Sequence, residues 1–186
     1  MNLMTLPEEE LFKEFSVEFE RAKIPFLLIG GYAVNAYGYS RTTQDVDFMI
    51  VSSDFDKAKQ ILQRCGYRQY VQKDLCARFV DHEREWPPLD LVFVEQETFQ
   101  NILKEARGVE VLGRKLFVPS AEHLIALKLH AVKNDPKREA KDLNDIFELI
   151  KAQGLDVGST KFKNFCLKFG NADLFERIKK WAGTQI

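Results

Sequence analysis

Two aspartates separated by one residue, Asp45 and Asp47, are the residues of this chain most suited to chemistry. They belong to a predicted strand, Asp45 to Val51, that is otherwise apolar, and side chains of a strand alternate between its two faces. We therefore expect both carboxylates to project from one face, with Val46 and Phe48 on the other. Neighbouring carboxylates repel each other unless a cation neutralises them, and their hard oxygen atoms suit Mg²⁺.

A glycine pair precedes these acids along the chain. Gly30 and Gly31 follow a short apolar stretch, Phe26 to Ile29, that predicts a buried strand. The next residues, Tyr32 to Tyr37, predict a short helix that ends at Gly38. Glycines let the backbone approach a phosphate closely, and a helix N-terminus offers it unpaired N–H groups. Taken singly, the glycines also fit a turn and the acids a solvated strand edge; taken together, they predict metal-dependent phosphoryl or nucleotidyl transfer.

The combined pattern resembles the signature of the DNA polymerase β-type nucleotidyltransferase superfamily, which is a glycine pair, a spacer and an Asp-x-Asp strand. Here the spacer has 13 residues. Within that superfamily, the segment most resembles small bacterial proteins related to the AbiEii/AbiGii abortive-infection toxins, which carry GG-x-A followed by R-x-T-x-D-x-D. The matching residues are Gly30, Gly31, Ala33, Arg41, Thr43, Asp45 and Asp47. Lincosamide and aminoglycoside nucleotidyltransferases share the core signature. The signature therefore identifies the type of reaction better than it identifies the substrate.

The superfamily resemblance implies a third carboxylate on a neighbouring strand, and Asp90 is our candidate. It lies in an apolar stretch, Leu89 to Val94, after two prolines that disfavour a helix. Asp81 is the competitor, but the charged residues after it, His82 to Glu85, are typical of a hairpin tip. Asp90 also fits an acid that satisfies the end of a strand.

The resemblance extends into two helices predicted after residue 119. The first has Ser120 as its N-cap and contains Lys128, and the second covers 138–151 and contains Asp142. By the resemblance, Lys128 would contact a triphosphate, and Asp142 would orient Lys128 or shape the site. The alternative is a solvated helix face with i,i+4 ion pairs, for which Arg138 with Asp142 and Lys141 with Asp145 qualify.

These roles combine into one expected mechanism. Asp45 and Asp47 would hold one or two Mg²⁺ ions, and Asp90 would complete the second metal site and help deprotonate the acceptor hydroxyl. The glycine pair would lie against the phosphates of a nucleoside triphosphate, and Arg41 and Thr43 would bind phosphate oxygens.

The resemblance implies transfer of a nucleoside monophosphate from the triphosphate to an acceptor hydroxyl, with release of pyrophosphate. The implied acceptor is RNA, such as the 3′ end of tRNA, or a protein side chain, in a toxin–antitoxin or abortive-infection setting. One alternative is a small-molecule acceptor such as an antibiotic hydroxyl. Another is a catalytically silent nucleotide-binding or antitoxin-like module, although three mutually repelling acids argue against silence. The motifs of P-loop and Rossmann nucleotide sites do not occur in the sequence.

The predicted elements indicate a mixed α/β (α+β) fold, with a nucleotidyltransferase-type mixed sheet, flanking helices and a C-terminal helical segment. We predict a nucleotidyltransferase core domain over 1–118 and a helical segment packed on it over 119–186. The expected elements of the core, besides those named above, are helices over 7–23, 53–64 and 98–107, strands within 67–80 and 89–94, and a hairpin over 109–118.

Composition restricts the setting of this chemistry. The chain has 186 residues, is 45% hydrophobic and carries a net charge of −1, so it can bury a core and has no overall field that favours nucleic acid or anionic membranes. Residues 151–180 hold seven Lys/Arg and three Asp/Glu, which fits either an RNA contact or a solvated face.

The cysteines and the absence of apolar segments indicate a cytoplasmic protein. Cys65, Cys76 and Cys166 lack metal-ligand spacing, and we expect reduced, buried thiols in a reducing compartment. The first 15 residues do not have the pattern of a signal peptide, and no apolar stretch is long enough to span a bilayer. The sequence leaves the oligomeric state open.

Overall fold

The computed structural model describes residues 7–184, which form two compact units. The first unit comprises the described residues up to Ala36 together with Arg41–Pro119. The second comprises Tyr37–Ser40 and the described residues from Ser120 onward. Each unit has its own elements and its own buried side chains, and each is described separately.

The first unit is a mixed sheet with helices and a separate hairpin. In chain order its elements are α1 (Pro7–Arg21), β1 (Phe26–Ile29), α2 (Gly30–Asn35), β2 (Val46–Val51), α3 (Phe55–Arg64), β3 (Tyr67–Lys73), β4 (Cys76–Asp81), β5 (Leu89–Val94), α4 (Gln96–Lys104), β6 (Arg107–Val111) and β7 (Arg114–Val118). The five-stranded sheet has the order β1-β2-β5-β4-β3, and β6 pairs with β7 alone.

The pairing of these strands brings distant residues into one row across the sheet. The β2–β5 pair is parallel, and the β1–β2, β4–β5 and β3–β4 pairs are antiparallel. In this register Asp47 of β2 is the partner of Asp90 of β5, and Asp90 is in turn the partner of Arg78 of β4. Paired residues of adjacent strands point to the same face, so the row predicts a cluster of two acids and one base.

Aromatic side chains pack against the face of β2 that is opposite the face bearing Asp47. Phe48 of β2 is fully buried, and its ring stacks on that of Phe15 of α1 at 3.9 Å between centroids. Phe19 stacks on the other side of Phe15, and Phe12 meets Phe48 edge to face. Since side chains alternate along β2, this packing fixes Phe48 inward and leaves Asp47 on the other face.

The second unit is helical within the part of the chain that the structure describes. Its helices are α5 (Ala121–Asn134), α6 (Glu139–Gln153), α7 (Thr160–Phe169) and α8 (Ala172–Gly183). The Ser120 hydroxyl caps α5 by accepting from the backbone N–H of His123, as predicted. Helix α6 ends at Gly154, which has the left-handed conformation that glycine adopts without strain.

The predicted fold class is confirmed by the mixed sheet and its helices, whereas several predicted boundaries are wrong. The short helix predicted from Tyr32 begins at Gly30, because the glycine pair itself forms its first turn. The helix predicted from residue 53 begins at Phe55, after a 3₁₀ turn over Ser52–Asp54. The helix predicted over 98–107 is Gln96–Lys104, and the hairpin predicted from residue 109 begins at Arg107.

The cysteines differ in burial. Cys65 and Cys166 are buried, and burial is the main cause that raises the pKa of each thiol to about 11. Cys76 is half-buried, so the prediction of three buried thiols is wrong at that residue. None of the helices within residues 7–184 has the length and apolar character that crossing a membrane requires.

Candidate active site

The structure brings the three predicted acids together. Asp45 lies just before β2, Asp47 lies in β2 and Asp90 lies in β5, the parallel neighbour of β2. One carboxylate oxygen from each residue falls within 4.8 Å of the others, and all three residues are half-buried. Two acids from neighbouring strands and one from the loop just before β2 therefore converge on a small volume that solvent reaches.

Asp81, the alternative candidate for the third carboxylate, stabilises a turn instead. Its Oδ2 atom accepts hydrogen bonds from the backbone N–H groups of Glu83, Arg84 and Trp86, the shortest at 2.7 Å. These bonds hold the turn that follows β4. Among the described residues, the acidic cluster consists of Asp45, Asp47 and Asp90 without Asp81.

The glycine pair makes room for the side chains of the site. Gly30 has φ +64°, and a Cβ atom there would overlap the Asp47 carboxylate and lie 2.8 Å from Asp47 Cβ. A Cβ atom on Gly31 would lie 2.7 Å from Thr43 Oγ1 and 3.0 Å from Arg41 Nη2. Real Cβ atoms do not approach so closely, so residues 30 and 31 must be glycine for these side chains to lie where they do.

The loop before β2 is held by polar contacts to the acids and to α2. Thr43 Oγ1 lies 3.1 Å from both the backbone oxygen and Oδ1 of Asp45, so its hydroxyl donates to Asp45. Asn35 donates through Nδ2 to the Arg41 carbonyl oxygen at 2.8 Å and accepts from the Arg41 N–H at 3.2 Å. These bonds fix the position of the loop residues relative to the acids. No motif marked Asn35 in the sequence.

Arg78 is the main residue of the site that the sequence did not reveal. Its Nε and Nη2 atoms donate to the two oxygens of Asp90 at 2.8 and 2.7 Å, a bidentate pair. Nη2 also lies 3.3 Å from Asp45 Oδ2. The hydrogen bonds to Asp90, aided by the charges of the three acids, raise the pKa of the Arg78 guanidinium despite its partial burial. Recognising this role requires the β4–β5 register, which the sequence does not supply.

The negative charge of Asp45 also affects the pKa of Tyr32 in α2. Burial, followed by the charges of Glu8 and Asp45, raises the pKa of its phenol above the ordinary value.

Lys128 and Asp142 form a buried ionic cluster within the second unit. Lys128 Nζ lies 3.0 Å from Asp142 Oδ1 and 2.6 Å from Asp145 Oδ2, and both aspartates are fully buried. Arg138 Nε donates to Asp142 Oδ2 at 3.0 Å. The alternative of a solvated helix face is therefore wrong for Lys128 and Asp142, although the predicted Arg138–Asp142 pair is present. Nucleotide binding by Lys128 and Asp142 stays a prediction.

The charges in this cluster stabilise one another. Burial alone raises the pKa of the Asp142 carboxyl, but the charges of Lys128 and Arg138 and their hydrogen bonds outweigh it and lower that pKa. Asp145 was not predicted as part of the cluster, because a charged residue is expected at the surface unless its partner is known.

Comparison with protein families decides the class of this site. Residues 10–169 match the model of a family described as uncharacterised nucleotidyltransferase. The chain belongs to this family. The match includes every predicted site residue of both units, and the protein is accordingly a nucleotidyltransferase with an acidic triad. No protein among the curated sequences matches the chain.

Solved structures of this family's fold cover most of the chain. The crystal structure of ANT(2″)-Ia in complex with adenylyl-2″-tobramycin is 16% identical over 87% of this chain and 95% of that chain, with a TM-score of 0.65. The lincosamide antibiotic adenylyltransferase LnuA, with lincomycin bound, is 21% identical over 76% and 95%, with a TM-score of 0.57. An antigenic nucleotidyltransferase-like protein from Paracoccidioides brasiliensis is 16% identical over 94% and 90%, with a TM-score of 0.58. At these identities the likeness shows a shared fold.

The acidic cluster fits a divalent cation of the magnesium type. Its donors are carboxylate oxygens, the ligands that Mg²⁺ prefers, and a Mg–O bond measures about 2.1 Å. Oxygens that lie within 4.8 Å of one another can reach one ion through small side-chain rotations. Asp45, Asp47 and Asp90 are therefore the residues that would hold the metal.

Proposed function

We propose that this nucleotidyltransferase moves a nucleoside monophosphate from a nucleoside triphosphate to an acceptor hydroxyl, using Asp45, Asp47 and Asp90. The observation that carries the proposal is the convergence of three carboxylates, from two neighbouring strands and the residue just before one of them. In the reaction, the acceptor oxygen forms a bond to the α-phosphorus, and the bond from that phosphorus to the bridging oxygen breaks. Pyrophosphate leaves, and the proton of the acceptor hydroxyl passes to a base.

Each acid has a task in this proposal. Asp45 and Asp47 hold Mg²⁺, and Thr43 keeps Asp45 in place through its hydroxyl. Asp90 completes the ligand set and is the residue that we assign to accept the proton. When bound, Mg²⁺ neutralises phosphate charge and stabilises the entering and leaving oxygens.

The nucleotide is proposed to contact the glycine pair and the loop before β2. Gly30 and Gly31 expose backbone without a side chain, and the Arg41 guanidinium suits phosphate oxygens. Thr43 adds a hydroxyl beside them. Lys128 has three N–H donors, of which Asp142 and Asp145 accept two. In this proposal Lys128 contacts a phosphate oxygen, and Asp142 orients its ammonium group.

For the acceptor we propose RNA, such as the 3′ end of tRNA, or a protein side chain, in a toxin–antitoxin or abortive-infection setting. The support is the R-x-T-x-D-x-D segment from Arg41 to Asp47, which resembles the AbiEii/AbiGii-related proteins. The basic stretch over 151–180, with seven Lys/Arg and three Asp/Glu, supports a polyanionic acceptor.

A second candidate function is transfer to a small-molecule hydroxyl, such as that of an antibiotic. The observation that favours it is the fold shared over most of this chain with ANT(2″)-Ia, called an antibiotic-resistance factor, and with a lincosamide antibiotic adenylyltransferase. A catalytically silent module is disfavoured, because a protein that only bound nucleotide would gain nothing from three acids that repel one another.

Label transfer separates the acceptor classes. Each of the four α-³²P-labelled nucleoside triphosphates is incubated with Mg²⁺ and total RNA, total protein, an aminoglycoside or a lincosamide. The control enzymes are Asp45→Asn/Asp47→Asn, which removes the paired acids, and Asp56→Asn, which changes an exposed aspartate of α3. Triad-dependent label in RNA or protein supports the first function, and label in an antibiotic supports the second. Equal label with the double variant contradicts both.

A further inference from the structure

We propose that Arg78 competes with the divalent cation for Asp45 and Asp90 and thereby sets the metal affinity of the site. This inference rests on the proposed function, since it takes the acidic cluster to be the metal site. It concerns a residue outside the glycine and aspartate motifs, on strand β4, which contributes no acid to the cluster.

Arg78 contacts oxygens of two of the three acids that would hold the cation. Both oxygens of Asp90 accept from Arg78, at 2.8 and 2.7 Å. Asp45 Oδ1 accepts from Thr43, and Asp45 Oδ2 lies 3.3 Å from Arg78 Nη2. Both oxygens of Asp90 and both oxygens of Asp45 are therefore engaged by hydrogen-bond donors. Arg78 holds three of these four.

A cation and Arg78 cannot share these oxygens without penalty. A Mg²⁺ ion about 2.1 Å from a carboxylate oxygen would lie within roughly 5 Å of a guanidinium nitrogen bound to that same oxygen. Charges of like sign at such a distance repel each other. The bound cation therefore weakens the Arg78 contacts, and by reciprocity the Arg78 contacts weaken cation binding.

The Arg78 side chain can move into solvent when a cation displaces it from the acids. Its side chain is 42% exposed, whereas those of Asp45 and Asp90 are 25% and 20% exposed. The strand backbone of β4 can stay paired with β5 while the long arginine side chain turns into solvent. Release of Arg78 consequently needs no change in the sheet.

Cation binding to purified full-length protein, with no nucleotide present, tests the inference. Mn²⁺ is the probe, and its free concentration is followed by electron paramagnetic resonance. The variants are Arg78→Gln, Arg78→Lys, Arg84→Gln and Asp45→Asn/Asp47→Asn. Arg84 is the matched control, because its side chain is also 42% exposed but pairs with Glu14.

The two possible roles of Arg78, competing with the cation or only holding Asp90 in place, predict opposite changes in Mn²⁺ affinity. If Arg78 competes, Arg78→Gln binds Mn²⁺ at least about fivefold more tightly than wild type, Arg78→Lys lies between them, and Arg84→Gln matches wild type. If Arg78 only holds Asp90 in place, Arg78→Gln binds Mn²⁺ equally or more weakly, and the inference is overturned. Arg78→Lys keeps the charge, so it still reports if Arg78→Gln fails to fold.

The double aspartate variant separates this inference from the proposed function. Mn²⁺ binding that is lost in Asp45→Asn/Asp47→Asn locates the ion at the triad, and the Arg78 comparison then decides the inference alone. Binding that persists unchanged in the double variant overturns the metal site and the competition together.

Discussion

Gly30 and Asp47 are packed against each other so closely that a single methyl group on Gly30 would overlap the Asp47 carboxylate. The two residues belong to adjacent elements, since β1 leads into α2 and pairs with β2, with Ile29 opposite Asp47. The glycine of the motif and the second aspartate of the motif are thus one packing unit, which explains why the two occur together.

Replacing Gly30 with alanine is expected to displace Asp47 and abolish most transfer. The new Cβ both overlaps the carboxylate and suffers the strain of φ +64°, at about 1–2 kcal/mol for a non-glycine residue. Gly113→Ala is the matched control, because Gly113 has φ +72° with nothing within 4 Å of the added atom. Steady-state transfer rates and thermal unfolding check the pair. Equal loss of activity in the two variants would show that strain, and not the Asp47 contact, matters.

Replacing Thr43 with valine is expected to slow transfer about tenfold. Valine keeps the shape but removes the hydroxyl that donates to Asp45 Oδ1, and a hydrogen bond to a charged group contributes about 1.5 kcal/mol or more. Thr42→Val serves as the control, since Thr42 is exposed. Unchanged turnover of Thr43→Val would mean that Asp45 needs no help from this hydroxyl.

Replacing Lys128 with methionine is expected to destabilise the second unit by about 3–5 kcal/mol at pH 7, because two buried carboxylates lose their shared cation. Lys133→Met changes an exposed lysine of the same helix and should cost little. Urea unfolding monitored by circular dichroism measures the difference. A small loss in Lys128→Met would show that the aspartates find other partners.

The same variant has a predictable pH dependence. In the wild type the pKa of Asp142 is lowered, so its contribution to stability is complete above the ordinary carboxyl pKa of about 3.9 and is lost as pH falls through the lower folded value. Without Lys128, Arg138 alone opposes burial, and the pKa of Asp142 rises. The stability gap between wild type and Lys128→Met should therefore narrow as the pH falls from 5 to 3. A constant gap would contradict the ionic account of the cluster.

Site residues that are close together in the sequence could be predicted, whereas residues that meet only through strand pairing could not. Alternation along a strand predicted from Asp45 placed Asp45 and Asp47 together, although β2 begins one residue later, at Val46. The family resemblance directed attention to Asp90. Arg78 was not found, because its partnership with Asp90 exists only through the antiparallel β4–β5 register. The start of α2 was misplaced, because a glycine pair usually breaks a helix rather than forming its first turn.

The buried cluster of the second unit shows a similar limit. Helical periodicity predicted α5 and α6, and the i,i+4 rule predicted the Arg138–Asp142 pair. The same rule could not reveal that Asp145 also reaches Lys128, because that contact joins two helices. Burial of charged groups is decided by the partner across the interface, which a single sequence does not identify.

The most direct test of nucleotidyl transfer by the three acids is a paired-label experiment on the wild type and the single variants Asp45→Asn, Asp47→Asn and Asp90→Asn. With an acceptor preparation present, label from an α-³²P triphosphate should enter the acceptor, while label from the γ-³²P triphosphate should appear as pyrophosphate. Each single variant should reduce both signals at least about a hundredfold, the scale of losing a group that acts on the transition state, and should remain folded. Release of γ-label as inorganic phosphate, or full α-label transfer by any of the three variants, would contradict the assignment.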